Sequence, residues 1–197
     1  MKDYYEARAP EYDDWWTGAG AFAERDRTGF DDERDSVLEM LASLEPASTL
    51  DVACGTGYVT RHLPGVVTGL DQSPTSLQRA ALRLPTATLV RADAPPLPCA
   101  PDSFTRVFSS HFYGHLEEPA RRAFLDEARR VGRELVILDA SRAHSTVAVE
   151  WQERFLRDGS RWEVYKRYFE PAELAAELGG GEILHAGHWF VAVRSPA

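Results

Sequence analysis

The stretch LDVACGTGYVT, residues 50–60, decides the fold of this chain. An apolar segment ends in an acid, Asp51, and passes at once into a turn that contains Gly55 and Gly57. Glycine adopts positive φ angles and lets a ligand approach the main chain closely. A strand, a glycine-rich turn and a helix N-terminus together form a site for the polar end of a nucleotide-like cofactor.

Two further acids follow at the ends of later predicted strands, Asp71 in VVTGLDQS and Asp93 in TLVRADAPPLP. A carboxylate accepts two hydrogen bonds from a vicinal diol, which suits Asp71 at the tip of a strand. A nicotinamide or flavin Rossmann domain has the pattern G-x-G-x-x-G, and here Thr60 stands in place of the third glycine. Because that pattern has no role for an acid after the third strand, Asp93 favours a different cofactor.

With these three segments the chain resembles the class I S-adenosylmethionine (SAM)-dependent methyltransferases, in particular their small-molecule, type 11/25 branch, over residues 4–194. In that family one acid binds the ribose hydroxyls and another the adenine amino group, which implies these roles for Asp71 and Asp93. The resemblance also implies that Asp51 helps to place the methionine end. One departure is Ala53, at a position where the family often has glycine.

The resemblance implies SAM as cofactor and S-adenosylhomocysteine (SAH) as its product. The expected contacts lie in the glycine turn and at the ends of the strands: Asp51, Ala53, Cys54, Gly55, Gly57, Asp71, Gln72, Asp93, Ala94 and Ser109. The N-terminal segment 1–30 fits the family pattern Tyr-x-x-x-Ala-x-x-Tyr-Asp and is expected to be a cap, with Tyr5, Arg8 and Tyr12 closing over the SAM carboxylate. Simple burial of its aromatic side chains against the sheet explains the segment equally well.

Hydrophobic periodicity predicts the remaining elements. Strands are expected at 49–52, 66–71, 88–91, 104–110 and 135–139, and helices at 32–44, 58–63, 74–84, 119–131 and 170–178. The end of the chain, EILHAGHWFVAVR, predicts two strands joined so tightly that they must be antiparallel. We therefore expect one α/β domain over 1–197, a Rossmann-like, doubly wound, seven-stranded sheet that is mostly parallel, with an antiparallel last strand and helices on both faces.

Composition narrows the range of partners. The 197 residues carry a net charge of −9 without a dense basic patch, which argues against nucleic acid because phosphate contacts need a basic face. No apolar stretch approaches the ~20 residues of a membrane span, and no signal core is visible, so a cytoplasmic protein with no membrane partner is expected. Two cysteines and no metal-ligand spacing predict a metal-independent enzyme. Monomer and homodimer both stay open.

Methyl transfer is an in-line displacement at the sulfonium methyl, so catalysis consists largely of holding the nucleophile in line. The segment SSHFYGHL after the fourth strand supplies two candidate bases, His111 and His115, each of which also has a structural interpretation as a hydrogen-bonding residue. Tyr113 is expected in the wall of the substrate pocket. Arg142 and His144 are expected to contact substrate from a short lid, residues 142–168.

The sequence thus predicts a methyltransferase acting on a small organic molecule. An oxygen acceptor is favoured over nitrogen because a histidine base is available. Two alternatives stay open: a SAM-binding protein that does not transfer the methyl group, and a nicotinamide-dependent Rossmann oxidoreductase.

Overall fold

The computed structural model describes residues 2–196 of the chain. The α-helices in this part are α1 (Lys2–Arg8), α2 (Asp14–Thr17), α3 (Phe30–Ala42), α4 (Pro74–Arg83), α5 (Glu118–Val131) and α6 (Pro171–Glu177). The strands are β1 (Ala47–Val52), β2 (Gly65–Asp71), β3 (Thr88–Arg91), β4 (Phe104–Ser110), β5 (Gly132–Ala140), β6 (Val149–Phe155), β7 (Arg161–Arg167), β8 (Glu182–Ala186) and β9 (Phe190–Pro196).

Seven strands form one sheet in the order β3-β2-β1-β4-β5-β9-β8. The strands β1 to β5 are parallel, and β9 runs antiparallel to both of its neighbours, β5 and β8. The predicted sheet and its antiparallel last strand are therefore confirmed. The strand order reverses between β1 and β4, and ligands of such sheets bind at this point, beyond the carboxyl ends of the strands.

Strand β5 is covered on both faces, which explains its apolar run over residues 135–138. Successive strand residues point to opposite faces. On one face Ile137 belongs to a cluster with Phe124 of α5 and Leu174 of α6. On the other face Leu138 belongs to a cluster with Leu41 of α3. The two clusters fix the sheet rigidly between its helices, so its upper edge is a firm base for a site.

The prediction of a helix over residues 58–63 is wrong. Only a short 3-10 helix, Thr60–His62, follows the glycine turn. Pro64 explains the difference, because a proline pushes the preceding residue out of the helical region, and Leu63 is extended with ψ of 124°. The turn must therefore bind a ligand through its own backbone and its neighbours rather than through a full α-helix N-terminus.

The predicted lid contains a β-hairpin that is separate from the main sheet. Strands β6 and β7 pair with each other in antiparallel register. Val164 of β7 and Leu156 pack against Tyr4 of α1, so the hairpin rests on the N-terminal segment. The hairpin and this segment thus lie together over the end of the sheet. Within residues 2–196 no helix is long and apolar enough to cross a membrane.

Candidate active site

Two adjoining cavities lie beyond the carboxyl ends of the parallel strands. The first, of about 490 Å³, is named here the glycine-turn cavity, and Gly55, Asp71 and Asp93 are among its lining residues. The second, of about 710 Å³, is the hairpin cavity, and β6 and β7 form much of its wall. Both volumes are in the range of small-molecule sites. Four side chains line both cavities: Tyr5, Tyr12, His111 and His115.

The glycine turn is held in place by Asp71. Its Oδ2 accepts a hydrogen bond from the Gly55 N–H at 2.9 Å, and its Oδ1 accepts one from the Ser73 N–H at 2.8 Å. Burial raises the pKa of Asp71 above its ordinary value, although these hydrogen bonds oppose the shift. A carboxylate offers about four acceptor positions, so Asp71 keeps acceptor capacity for a ligand.

Positive φ angles recur through the turn. Gly55 has φ of 55° and Gly57 has φ of 75°, and a Cβ on Gly57 would lie 2.8 Å from Leu84 Cδ1. Ala53 has φ of 62°. The position where the family often has glycine therefore does require the left-handed conformation, and alanine occupies it at some cost in strain. Cys54 is buried next to it and lies in the wall of a small pocket behind the turn.

Asp51 lies beneath the turn and faces that small pocket rather than the glycine-turn cavity. Its Oδ2 accepts a hydrogen bond from Thr60 Oγ1 at 2.6 Å. Its Oδ1 is buried and has no hydrogen-bond partner among the residues that the structure describes. Burial raises the pKa of Asp51 to about 7. The first acid of the pattern is thus poised between its charged and neutral forms near neutral pH.

The rim of the glycine-turn cavity includes Gln72, Asp93 and Ala94, as expected. Asp93 is half-exposed and forms an ion pair with Lys2. Ser109 was expected to contact the cofactor, but its Oγ points into the sheet and donates to the Val52 carbonyl at 3.1 Å. The neighbouring Ser110 lines the cavity instead, and its Oγ is buried without a partner within residues 2–196. Strand residues alternate in direction, so an error of one position exchanges the two faces.

Some residues of the N-terminal segment line the two cavities, and others are buried in the core. The Arg8 guanidinium is buried, donates to the Tyr4 hydroxyl at 3.0 Å and lies 5.5 Å from the centroid of the Tyr12 ring. Trp16 is fully buried in the core. Tyr5 and Tyr12 face the cavities, so the two interpretations of this segment apply to different residues in it.

His111 lies at the junction of the two cavities. Its backbone is left-handed, with φ of 51°, and its ring is enclosed by Trp15, Trp16 and Phe190 at centroid distances of 4.7, 5.3 and 5.7 Å. Nδ1 lies 3.9 Å from Asp139 Oδ1, and Nε2 has no partner in the described part of the chain. Burial lowers the pKa of His111 to about 3 although Asp139 opposes the shift. The imidazole is therefore neutral at physiological pH, with the lone pair of Nε2 free to accept a hydrogen bond.

His115 donates from Nδ1 to the Tyr165 carbonyl at 2.6 Å, which leaves Nε2 as an acceptor. Burial lowers its pKa well below the ordinary value. Beside the two histidines lies a buried ion pair that the sequence did not reveal, between Lys166 Nζ and Asp139 Oδ1 at 2.8 Å. Burial alone would raise the pKa of Asp139, but the Lys166 ammonium holds it at about 2.

Two of the three predicted substrate contacts do not line either cavity. Tyr113 is fully buried in the core, where its hydroxyl donates to Glu177 Oε1 at 2.7 Å. The Arg142 guanidinium donates to backbone carbonyls within its own turn, including that of Thr146 at 3.0 Å. His144 does line the hairpin cavity and stacks on Trp189. The sequence did not indicate Arg154 and Gln152, which reach this cavity from the hairpin together with Lys166.

No group of three or more histidine, cysteine or acidic side chains within residues 2–196 is arranged to hold a metal ion. The order of the sheet, the glycine turn after β1 and the acids after β2 and β3 define a class of protein, the Rossmann-like fold of SAM-dependent methyltransferases. Comparison with known proteins agrees with this class.

A sequence profile described as "Methyltransferase domain" matches residues 49–135. Demethylmenaquinone methyltransferase of Thermotoga maritima is 36% identical over 117 residues, 54% of this chain and 49% of that relative. An uncharacterized methyltransferase of Synechocystis sp. is 40% identical over 76 residues, 37% of this chain and 36% of that relative. The chain therefore spans about half or less of the length of these curated relatives.

Solved structures extend the likeness over the whole chain. The structure of a DhpI–SAH complex is 25% identical, with a TM-score of 0.75, and the match covers 100% of this chain and 95% of that one. A DhpI–SAM–HEP complex matches with the same identity and TM-score over 98% and 95%. The chain therefore has the fold of the class I SAM-dependent methyltransferases, and its residues 49–135 match the methyltransferase-domain profile.

Proposed function

We propose that this chain transfers a methyl group from SAM to a small organic acceptor. The observation that carries the proposal is the shared wall of two cavities, one beside the glycine turn and one beneath the hairpin. SAM occupies the glycine-turn cavity and the acceptor occupies the hairpin cavity. The methyl carbon then passes between Tyr5, Tyr12, His111 and His115, which line both.

The contacts proposed for SAM begin with the acids that follow β2 and β3. Asp71 accepts hydrogen bonds from the ribose hydroxyls with the acceptor capacity that Gly55 and Ser73 leave free. Asp93 accepts one from the adenine amino group. Its ion pair with Lys2 is exposed, and such a pair contributes only about 0–1 kcal/mol, so it exchanges easily. The methionine carboxylate extends to the wall shared with the hairpin cavity, where the hydroxyl groups of Tyr5 and Tyr12 and, from the hairpin side, the buried Arg8 guanidinium bind it.

The acceptor is proposed to be an oxygen nucleophile that His111 deprotonates. The neutral ring carries an Nε2 without a partner in the described residues, at the junction of the cavities. Asp139 lies on the Nδ1 side and stabilises the imidazolium that forms, as a carboxylate does in a catalytic triad. Positive charge leaves the sulfur during the reaction, and the aromatic wall of Trp15 and Trp16 keeps water away from it.

A small acceptor fits the site better than a nucleic acid does. The chain carries a net charge of −9, whereas phosphate backbones require a basic face. The hairpin cavity of about 710 Å³ has the size of sites for single small molecules.

Calorimetric titration with SAM, SAH and NADH tests the cofactor. We expect SAM and SAH to bind, NADH not to bind, and Asp71→Asn to weaken both adenosyl ligands. Asp32→Asn, at an exposed acid of α3, is the matched control and should bind SAH as the unmodified protein does. Binding of NADH in place of SAH would instead indicate an oxidoreductase.

A second measurement separates transfer from binding alone. The protein is incubated with SAM and a panel of small alcohols, phenols and amines, and SAH is quantified by chromatography. SAH formed in proportion to one acceptor supports transfer. SAM binding without SAH formation for every acceptor would favour a SAM-binding protein.

A further inference from the structure

The hairpin cavity concentrates positive charge in a chain that is acidic overall. Five cationic side chains line it: Arg8, Arg25, Arg154, Arg157 and Lys166. Four carboxylates line it as well: Glu11, Asp14, Glu150 and Glu153. Three of these carboxylates are in ion pairs, because Arg157 pairs with both Glu11 and Asp14, and Arg161 pairs with Glu153, so two of their three negative charges are offset. The charges that stay unbalanced decide what the cavity binds.

Arg154 is a half-buried guanidinium that forms no ion pair with any carboxylate in residues 2–196. Its Nε instead donates to the amide oxygen of Gln152 at 3.1 Å. The Gln152 amide nitrogen in turn donates to Glu150 Oε1 at 2.6 Å. A neutral amide therefore stands between Arg154 and Glu150, the acid on the same face of its strand. Partly desolvating a guanidinium without a counterion is costly, so the arrangement leaves Arg154 available for an anion from outside the chain.

Lys166 extends this positive region toward the histidines. It is buried, lines the hairpin cavity and is balanced by Asp139. An ammonium group has three donors, and Asp139 takes one of them among the described residues. Both cations line the hairpin cavity, and besides burial their charges lower the pKa of His115. Asp139, Lys166 and Arg154 together carry one net positive charge there.

From this geometry we propose that the methyl acceptor is a small organic acid, and that Arg154 and Lys166 bind its carboxylate or phosphate group in the hairpin cavity. The proposal rests on the methyltransferase function proposed above and names the substrate class of the same site. The acidic group balances the net charge beside the histidines. The nucleophilic oxygen of the acceptor then lies next to His111 Nε2. A cationic acceptor would instead engage Glu150, which has hydrogen-bond donors but no ion-pair partner in this part of the chain.

Two substitutions test the proposal from opposite directions. Arg154→Gln removes the free guanidinium. Gln152→Glu keeps the guanidinium but gives it an internal carboxylate partner, because the amide oxygen that accepts from Arg154 becomes a carboxylate oxygen. Arg122→Gln is the matched control, since Arg122 is an exposed arginine of α5 that pairs with Glu118 and lines neither cavity. Because Arg154 and Gln152 lie on the partly exposed hairpin rather than in the core, the variants should keep the fold.

Acetate and inorganic phosphate are titrated separately into each SAH-saturated protein in a calorimeter, at constant ionic strength. We expect saturable binding of one anion to the unmodified protein and to Arg122→Gln, and binding at least about tenfold weaker in both Arg154→Gln and Gln152→Glu. The anion that binds identifies the acid as a carboxylate or a phosphate. Equal binding in all four proteins, or no saturable binding of either anion to the unmodified protein, would overturn the proposal.

The affinity for SAH is measured in the same four proteins. It should be equal in all of them, because neither Arg154 nor Gln152 lines the glycine-turn cavity. Loss of anion binding with intact SAH binding therefore tests the substrate class alone. Failure of the unmodified protein to bind SAH would refute the proposed function itself.

Discussion

Asp51 is the acid whose ionisation this fold opposes most clearly, and replacing it by asparagine should change the pH dependence of stability. Its carboxyl is buried, one oxygen accepts from Thr60 Oγ1 at 2.6 Å, and the other has no partner within residues 2–196. Burial raises its pKa from the ordinary 3.8 to about 7. Asp51→Asn keeps the size of the side chain and removes the ionisation.

The direction in which stability changes with pH follows from the number of protons bound in the folded and unfolded states. Between these two pKa values the folded protein holds a proton on Asp51 that the unfolded chain has lost, so stability falls as pH rises through this window. Each pH unit in the window corresponds to about 1.4 kcal/mol. From about pH 5 to pH 8, Asp51 should therefore destabilise the unmodified protein by about 3 kcal/mol relative to Asp51→Asn. For a chain of this size that is about 6–12 °C in Tm.

Urea unfolding of both proteins at a series of pH values measures this difference. The asparagine amide also changes the unfolding free energy by an amount that does not depend on pH. This amount cancels, because only the pH dependence of the difference between the two proteins is used. A difference in unfolding free energy that stays constant from about pH 5 to pH 8 would show that Asp51 is already ionised in the fold and would refute the reasoning.

Three further substitutions have defined outcomes. His111→Asn, in which asparagine tolerates the φ of 51°, should lower kcat for an oxygen acceptor by about 10²–10⁴-fold with SAM affinity retained; an unchanged kcat would exclude the base role. Ala53→Gly should relieve the strain at φ of 62° and raise stability by up to about 1 kcal/mol in urea unfolding; a clear loss would contradict that account. Tyr113→Phe should lose about 1 kcal/mol of stability with its hydrogen bond to Glu177 while acceptor KM stays unchanged; a raised KM would restore Tyr113 as a substrate contact.

Much of the fold could be predicted because its signals are local. Ser73 caps α4 by accepting a hydrogen bond from the Ser76 N–H at 3.0 Å, as a serine before Pro74 indicates. The tight connection between β8 and β9 forces their antiparallel pairing. The helix predicted over 58–63 failed for an equally local reason, because Pro64 ends it early.

The candidate site was predictable only where a residue type and its place on a strand coincide. Asp71 and Asp93 follow strand ends, and both line the glycine-turn cavity. Ser110 lines the cavity instead of the predicted Ser109. The direction of a side chain at a strand end depends on the register, which the sequence does not specify. Tyr113 looked like a pocket residue by its position after β4, but the chain turns there through a 3-10 helix that directs it into the core.

By itself the sequence determined the alternating sheet, the glycine turn and the acids at the strand ends, because short-range patterning and backbone preferences act within a few residues. Only the tertiary structure decided that Lys166 meets Asp139 and that Arg154 lacks an acidic partner, since those side chains lie on a hairpin that folds back from a distant part of the chain. It also decided the burial of Asp51 and His111, and with it their shifted pKa values. Desolvation is the reason, because it depends on everything packed around a group and not on the neighbours of that group in sequence.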